Sequence, residues 1–240
     1  MTKSLIIAHR IINDKINSKE MLKRLLSDFE NTNIRGVEFD VRQTKDYELV
    51  ASHDKKFTFL EKNIINYTLA ELKNESFKRG VSFLTMPEVI EIIPKSLQIN
   101  IEIKDPKTEI NKFLKIIEHY DIFERLIVSS FYPKIIFSLR SSNVKKRWLL
   151  TNFSLKRNPL HLFFALFPIG TALLCKATGI APHFSLINKK IIQKAHNKNL
   201  TTATWTIEDE NLILLLEKIG VNYLIVKYDN IGFRCTKDIV

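Results

Sequence analysis

Two acids on one short run, Gly36-Val37-Glu38-Phe39-Asp40-Val41-Arg42, have the types and spacing for chemistry. Side chains alternate faces along a strand, so Glu38 and Asp40 point one way while Val37, Phe39 and Val41 point the other. Two carboxylates on one strand face repel unless a cation or a shared proton lies between them. A histidine closes the next apolar run, Leu49-Val50-Ala51-Ser52-His53-Asp54, and Thr44-Lys45-Asp46-Tyr47 between the two runs is turn-like. One hairpin therefore carries two acids and an imidazole.

The same kind of polar ending recurs along the chain. An apolar run from Ser4 ends in His9-Arg10, and Asn100-Ile101-Glu102-Ile103-Lys104 sets Asn100, Glu102 and Lys104 on the face opposite the isoleucines. Glu38, Asp40 and Glu102 supply hard oxygen ligands for Mg²⁺ or Ca²⁺, and no Cys/His cluster favours zinc. His9 and His53 suit a general acid and a general base, because imidazole titrates nearest to neutrality. Arg10 and Lys104 suit a phosphate group and the charge that develops on it. One divalent ion, two imidazoles and two cations around one mouth suit phosphodiester cleavage. The same residues have plainer readings. His9 alone fits a hydrogen-bonded core histidine, Glu38 with Arg42 and Glu102 with Lys104 fit same-face strand pairs, and Phe131 and Trp205 fit core aromatics.

The elements that must position these residues are short apolar runs at 4–9, 36–42, 97–104, 126–131, 147–151, 179–184, 202–207 and 221–226, with 48–53 folding back on the second as a hairpin arm. Helical patterns lie between them: 18–29 with Ser18 as cap, a capped single turn at 68–72, a helix from Thr85 with Pro87 in its first turn, and helices over 109–119, 133–140, 188–197 and 210–220. Residues 159–175 read as helical with a break near Pro168-Ile169-Gly170. Strands alternating with helices imply parallel βα units, and eight of them in 240 residues predict an α/β fold, a single (β/α)8 TIM barrel spanning residues 1–240 with a small hairpin arm after the second strand. Active residues of such barrels collect at the C-terminal strand ends. His9, Arg10, Glu38, Asp40, Glu102, Lys104, Phe131 and Trp205 all fall at or near such ends.

A net charge of +11 and a pI near 9.5 favour anionic partners. No basic block is interleaved with stacking aromatics, which argues against nucleic acid. Cys175 and Cys235 form no disulfide framework and no metal-ligand spacing. The first apolar run is too short for a signal peptide and is interrupted by His9-Arg10, so the chain reads as cytoplasmic. Residues 160–175 are apolar almost throughout but shorter than the roughly 20 residues of a spanning helix. They read as a buried barrel helix, or as a helix lying peripherally at the inner face of a membrane.

The ordered set Ala8-His9-Arg10, Val37-Glu38-Phe39-Asp40-Val41, Thr44-Lys45-Asp46, Ser52-His53-Asp54, Asn100-Ile101-Glu102-Ile103-Lys104, Ser129-Ser130-Phe131 and Trp205-Thr206 resembles the glycerophosphodiester phosphodiesterase family through nearly the whole chain. The resemblance implies a βα-barrel that hydrolyses glycerophosphodiesters to an alcohol and glycerol 3-phosphate with one divalent cation, Mg²⁺ or Ca²⁺. By position it implies His9 and His53 as the acid–base pair, Arg10 as a phosphate contact, Glu38, Asp40 and Glu102 as metal ligands, and Lys104 beside them. The chain departs from the family pattern at Ile11, where glycine is usual, at Asn17-Ser18, which lacks a preceding Pro-Glu, and at Val226-Lys227, where Thr-Asp is usual. Two other functions fit the same residues: a lysophospholipase D-like enzyme acting on lipids at a membrane surface, and a weakly active barrel that binds a phosphorylated ligand.

Overall fold

A computed structural model describes residues 3–153 and 159–229 of the chain. Nine strands, β1 (Leu5–Ala8), β2 (Ile34–Gln43), β3 (Leu49–Ala51), β4 (Gln98–Ile103), β5 (Leu126–Ser130), β6 (Lys146–Thr151), β7 (Gly179–Pro182), β8 (Thr201–Ile207) and β9 (Tyr223–Val226), form one sheet. Its order runs β1-β9-β8-β7-β6-β5-β4-β2, and β1 pairs with β2 to close the ring. All eight of these strands are parallel to their neighbours, whereas β3 lies antiparallel on β2 with Ala51 opposite Val41. The expected eight-stranded barrel with its hairpin arm is the observed fold.

The period of two along each strand sorts the core into an inner and an outer layer. Val37, Phe39 and Val41 of β2 and Ile99, Ile101 and Ile103 of β4 are buried against the surrounding helices, in one cluster with Leu22, Leu26, Phe113 and Ile117. Ile7, Ile127, Trp148, Leu150, Ala181, Ala203 and Ile225 fill the barrel interior. Full burial of a side chain of this size contributes about 1.5–3 kcal/mol. Gly179 is the position where only glycine fits: a Cβ there would lie 2.7 Å from both the Trp148 ring and the Thr201 carbonyl oxygen.

The helices are α1 (Lys19–Asp28), α2 (Leu69–Lys78), α3 (Met86–Ile92), α4 (Ile110–His119), α5 (Pro133–Ser138), α6 (Pro159–Leu166), α7 (Pro168–Leu174), α8 (Lys189–His196) and α9 (Glu210–Lys218). The side chain of Ser18 caps α1 as expected, accepting from the Met21 N–H. Residues 68–72 are the start of a ten-residue helix rather than a single turn. Thr68 and Glu71 satisfy each other's backbone donors in a capping box, and Leu72 and Ser76, one turn apart, are both buried. Between α6 and α7 the chain leaves helical geometry at Phe167, immediately before Pro168, which has no N–H to continue the ladder. Among the described residues, no helix is long and apolar enough to cross a membrane. Cys175 is a buried free thiol, and Cys235 lies outside the described residues.

Candidate active site

The parallel register of β2 on β4 sets Glu38 beside Asn100 and Asp40 beside Glu102, all on the inward face. Glu38, Asp40 and Glu102 are buried, and each offers a carboxylate oxygen within 4.8 Å of the others'. Burial, then repulsion from Asp40 and Glu102, pushes the Glu38 carboxyl well above the usual carboxylate range. Burial acts on Asp40 in the same direction, but Lys104, His53 and Arg10 outweigh it and hold Asp40 below its ordinary value. The Lys104 ammonium lies 3.1 Å from Asp40 Oδ1 and 2.8 Å from Glu102 Oε1. Burial would lower the Lys104 pKa, yet these two carboxylates raise it. The Arg10 main-chain N–H donates to Glu38 Oε2 at 2.7 Å, and Arg10 Nε is 3.7 Å from Asp40 Oδ2. Asp40 Oδ2 is itself buried without a hydrogen-bond partner. Three clustered carboxylates, one with an unmatched buried oxygen, form a donor set that fits a hard divalent cation.

His9 follows β1, where its N–H donates to the Val226 carbonyl at 2.8 Å. Its Nδ1 faces Thr206 Oγ1 at 3.5 Å and its Nε2 faces Glu38 Oε2 at 3.8 Å. Burial and the neighbouring Arg10 charge push the imidazole down to about 3, which keeps it neutral at neutral pH. His53 follows β3 in a bend pinned by the Ser52 N–H, which donates to the Asp40 carbonyl, and by Ser52 Oγ, which donates to the Asp54 carbonyl. Its Nδ1 bonds Asp54 Oδ1 at 2.7 Å. A carboxylate only accepts, so Nδ1 carries the proton and Nε2 is left to take or give one. Burial, then Lys104, lowers the His53 pKa.

Arg42 does not pair with Glu38. Four residues along a strand separate them by about 13 Å, and Arg42 instead bonds Asp105 Oδ1 at 2.6 Å and the His53 carbonyl. Glu102 and Lys104 do pair, inside the cluster rather than on an outer face. The left-handed backbone needed near the His-Arg pair falls at Arg10 (φ +51°), so Ile11 takes an ordinary conformation and is fully buried in the core. Lys227 at the end of β9 lies 3.5 Å from Glu208.

Phe131 and Trp205 meet edge to face, with ring centroids 5.5 Å apart, and Trp205 Nε1 donates to the Ala181 carbonyl. A cavity of about 210 Å³ is lined by His9, Arg10, Glu38, His53, Glu102, Lys104, Phe131 and Trp205, with Asp40 behind them. Asn100, which strand period sets on the face of Glu102 and Lys104, lines it too, as do Ser129 and Asn152, whose place there sequence reasoning missed. Asn100 and Ser129 carry the inward phase of β4 and β5, which was the available signal, and Ser129 Oγ donates to Asn100 Oδ1 at 2.9 Å. His183, also missed, stacks edge-on to Trp205 at 5.3 Å.

The sequence matches the glycerophosphoryl diester phosphodiesterase family over residues 31–232. A glycerophosphodiester phosphodiesterase of Caldanaerobacter subterraneus subsp. tengcongensis is 30% identical over 242 residues, covering 93% of each chain. Among solved structures, the glycerophosphodiester phosphodiesterase of Thermotoga maritima superposes with a TM-score of 0.70 at 19% identity, covering 95% of this chain and 96% of that one. A phosphodiesterase of Oleispira antarctica, solved with the product sn-glycerol-3-phosphate, superposes with a TM-score of 0.70 at 21% identity over 94% of both chains. With the family match extending over most of the chain, and one relative similar along nearly its full length, this barrel belongs to the glycerophosphoryl diester phosphodiesterase family.

Proposed function

We propose that the chain, read as one barrel domain over residues 1–240, is a metal-dependent glycerophosphodiester phosphodiesterase releasing an alcohol and glycerol 3-phosphate. The observation that carries the reading is the convergence of the Glu38, Asp40 and Glu102 carboxylates, two imidazoles and two cations on one barrel mouth. The relative named as a glycerophosphodiester phosphodiesterase and the neighbour solved with sn-glycerol-3-phosphate support the substrate class.

In this reading Glu38, Asp40 and Glu102 hold one Mg²⁺ or Ca²⁺. When bound, that ion supplies Lewis-acid stabilisation of charge on the phosphoryl oxygens. Arg10 and Lys104 add fixed positive charge beside the phosphate, where burial strengthens its effect. Of His9 and His53, one takes the proton of the attacking hydroxyl and the other protonates the leaving alkoxide; Nε2 is the available atom on His53. Phe131 and Trp205 wall the cavity against the apolar side of the glycerol carbons. Ile11 and Lys227 do not line that cavity, so a barrel that binds without turnover gains no support from those departures.

The test is release of glycerol 3-phosphate from glycerophosphocholine or glycerophosphoethanolamine with Mg²⁺ or Ca²⁺. His9→Ala and His53→Ala are each expected to lose about 10²–10⁴-fold in rate. Absence of turnover on any glycerophosphodiester with either ion present would reject the reading.

A second reading, lysophospholipase D-like action at the inner face of the cytoplasmic membrane, is favoured by one observation. Phe163, Leu166, Phe167 and Leu174 of the α6–α7 region are exposed rather than packed on the barrel. In this reading residues 160–175 make the peripheral membrane contact.

A further inference from the structure

A second cavity, of about 660 Å³, opens beside the mouth between the β2–β3 turn, the turn at residues 64–66 and the loop after β4. Lys104 lines both cavities, so the two are adjoining compartments. Five cations line the second one: Arg42, Lys45, Lys55, Lys104 and Lys107. The two inner ones are already matched, Arg42 by Asp105 and Lys104 by Asp40 and Glu102. Lys45, Lys55 and Lys107 stand exposed on the rim, and among the described residues none of the three forms an ion pair. Asp105, which Arg42 and the Gln43 N–H already occupy, is the single carboxylate lining this cavity among the described residues.

The rim is held in place before any ligand arrives. The Lys45 N–H donates to the Tyr67 carbonyl at 2.8 Å, and the Ile64 N–H donates to the Lys55 carbonyl at 2.8 Å. Both lysines are thereby tied to the same short turn. Tyr47, Ile64 and Ile65 supply less polar surface between the charges.

We infer that this cavity takes a second phosphate of the substrate, carried as a monoester on the alcohol that leaves. The inference rests on the reading of the mouth as a phosphodiesterase site. In this reading the smaller cavity, over the carboxylates, takes the glycerol phosphate, and the larger one, on the other side of Lys104, receives what extends beyond the scissile bond. A phosphomonoester carries about −1.5 to −2 charge near neutrality, which suits three exposed ammonium groups better than the single charge of a carboxylate would. The reaction balances as simple hydrolysis: the P–O bond to the alcohol breaks, water's hydroxyl stays on glycerol phosphate, and its proton goes to the alcohol, whose own phosphate is untouched.

The experiment compares kcat/KM for glycerophosphoinositol 4-phosphate and glycerophosphoinositol, in the native chain and in the triple variant Lys45→Gln, Lys55→Gln, Lys107→Gln. At low salt the native enzyme is expected to favour the phosphorylated substrate about tenfold, as for three exposed charges acting together. That ratio should fall toward one in the triple variant, and also in the native chain at about 1 M salt, where screening shortens to roughly 3 Å. A native ratio near one, or an equal ratio in the variant, would overturn the inference. If neither substrate turns over, the phosphodiesterase reading fails, and calorimetry with inositol 4-phosphate then decides the cavity alone. Binding about tenfold weaker in the variant supports it. No binding, or equally tight binding of inorganic phosphate, overturns it.

Discussion

Arg42 holds His53 by its backbone: Nε and Nη2 donate to the His53 carbonyl at 3.1 and 2.8 Å, while Nη1 is fixed to Asp105 at 2.6 Å. The guanidinium thus sets the height of the imidazole above the carboxylates without touching the ring. Arg42→Ala would remove the ion pair to Asp105 and both bonds to the His53 carbonyl, leaving Asp105 only the Gln43 N–H. Arg42→Lys keeps the charge but loses the planar fork that reaches both acceptors. It is expected to lower kcat about 10- to 100-fold, the effect of displacing a catalytic group by up to an ångström, with KM nearly unchanged. A lowered Tm with unaltered kcat would assign Arg42 to stability alone.

The carboxylate cluster makes a prediction that needs no turnover. Burial, then crowding by Asp40 and Glu102, raises the Glu38 carboxyl, and Asp40 Oδ2 is left without a hydrogen bond. Adding Mg²⁺ or Ca²⁺ to the chelated protein is therefore expected to raise its Tm. At an ion concentration about a hundred times Kd the stabilisation is about 2.7 kcal/mol. Asp40→Asn should abolish most of that shift. An equal shift in native and variant proteins would place the ion elsewhere.

The residues that converge on the mouth were legible because strand period alone decides which way they face. Glu38 and Asp40, two apart, must share a face, and Asn100, Glu102 and Lys104 follow the same rule. The barrel itself was legible from eight apolar runs alternating with helices, since parallel strands need long crossovers. Contacts set by register between distant segments were not. Arg42 and Asp105 lie 63 positions apart, and only the stagger of β2 on β4 brings them together. The length of α2 was hidden as well, because its last turns bury little beyond Ser76 and are carried by the capping box at their start. The apolar run at 160–175 suggested burial, but composition cannot tell a packed helix from one whose apolar face is left bare.

Glu88 couples the cap of α3 to pH. Burial would raise its carboxyl, yet the Thr85 N–H and hydroxyl, which donate to Oε2 at 2.9 and 2.8 Å, and the Lys19 ammonium hold it below the usual value. A carboxyl whose folded pKa is depressed stabilises the fold above its unfolded pKa and loses that contribution as pH falls through the folded value. The native chain should therefore exceed Glu88→Gln in Tm at pH 7. The gap should close progressively below about pH 4.5, the ordinary value of the group. A gap independent of pH would mean that the cap acts through shape and not through charge.

The α6–α7 region leaves large apolar side chains exposed. Phe163, Leu166 and Phe167 are 51%, 56% and 56% exposed, Leu174 is 79% exposed, and the Phe163 and Phe167 rings lie 5.0 Å apart. Soluble chains rarely leave several large apolar side chains contiguous and open to water. The region packs alongside β6 and β7, with Ala172 and Cys175 buried against Leu149 and Ile180, so its exposed side chains face away from the sheet. With a net charge of +11 the chain is also drawn toward anionic headgroups. Co-sedimentation with vesicles of phosphatidylcholine and phosphatidylglycerol is expected at low salt. The Phe163→Ser, Phe167→Ser double variant should bind at least about tenfold less, since each ring buries apolar area worth on the order of 1–3 kcal/mol. Failure of the native chain to sediment with anionic vesicles at low salt would reject the surface reading, leaving water-soluble glycerophosphodiesters as the substrates to test.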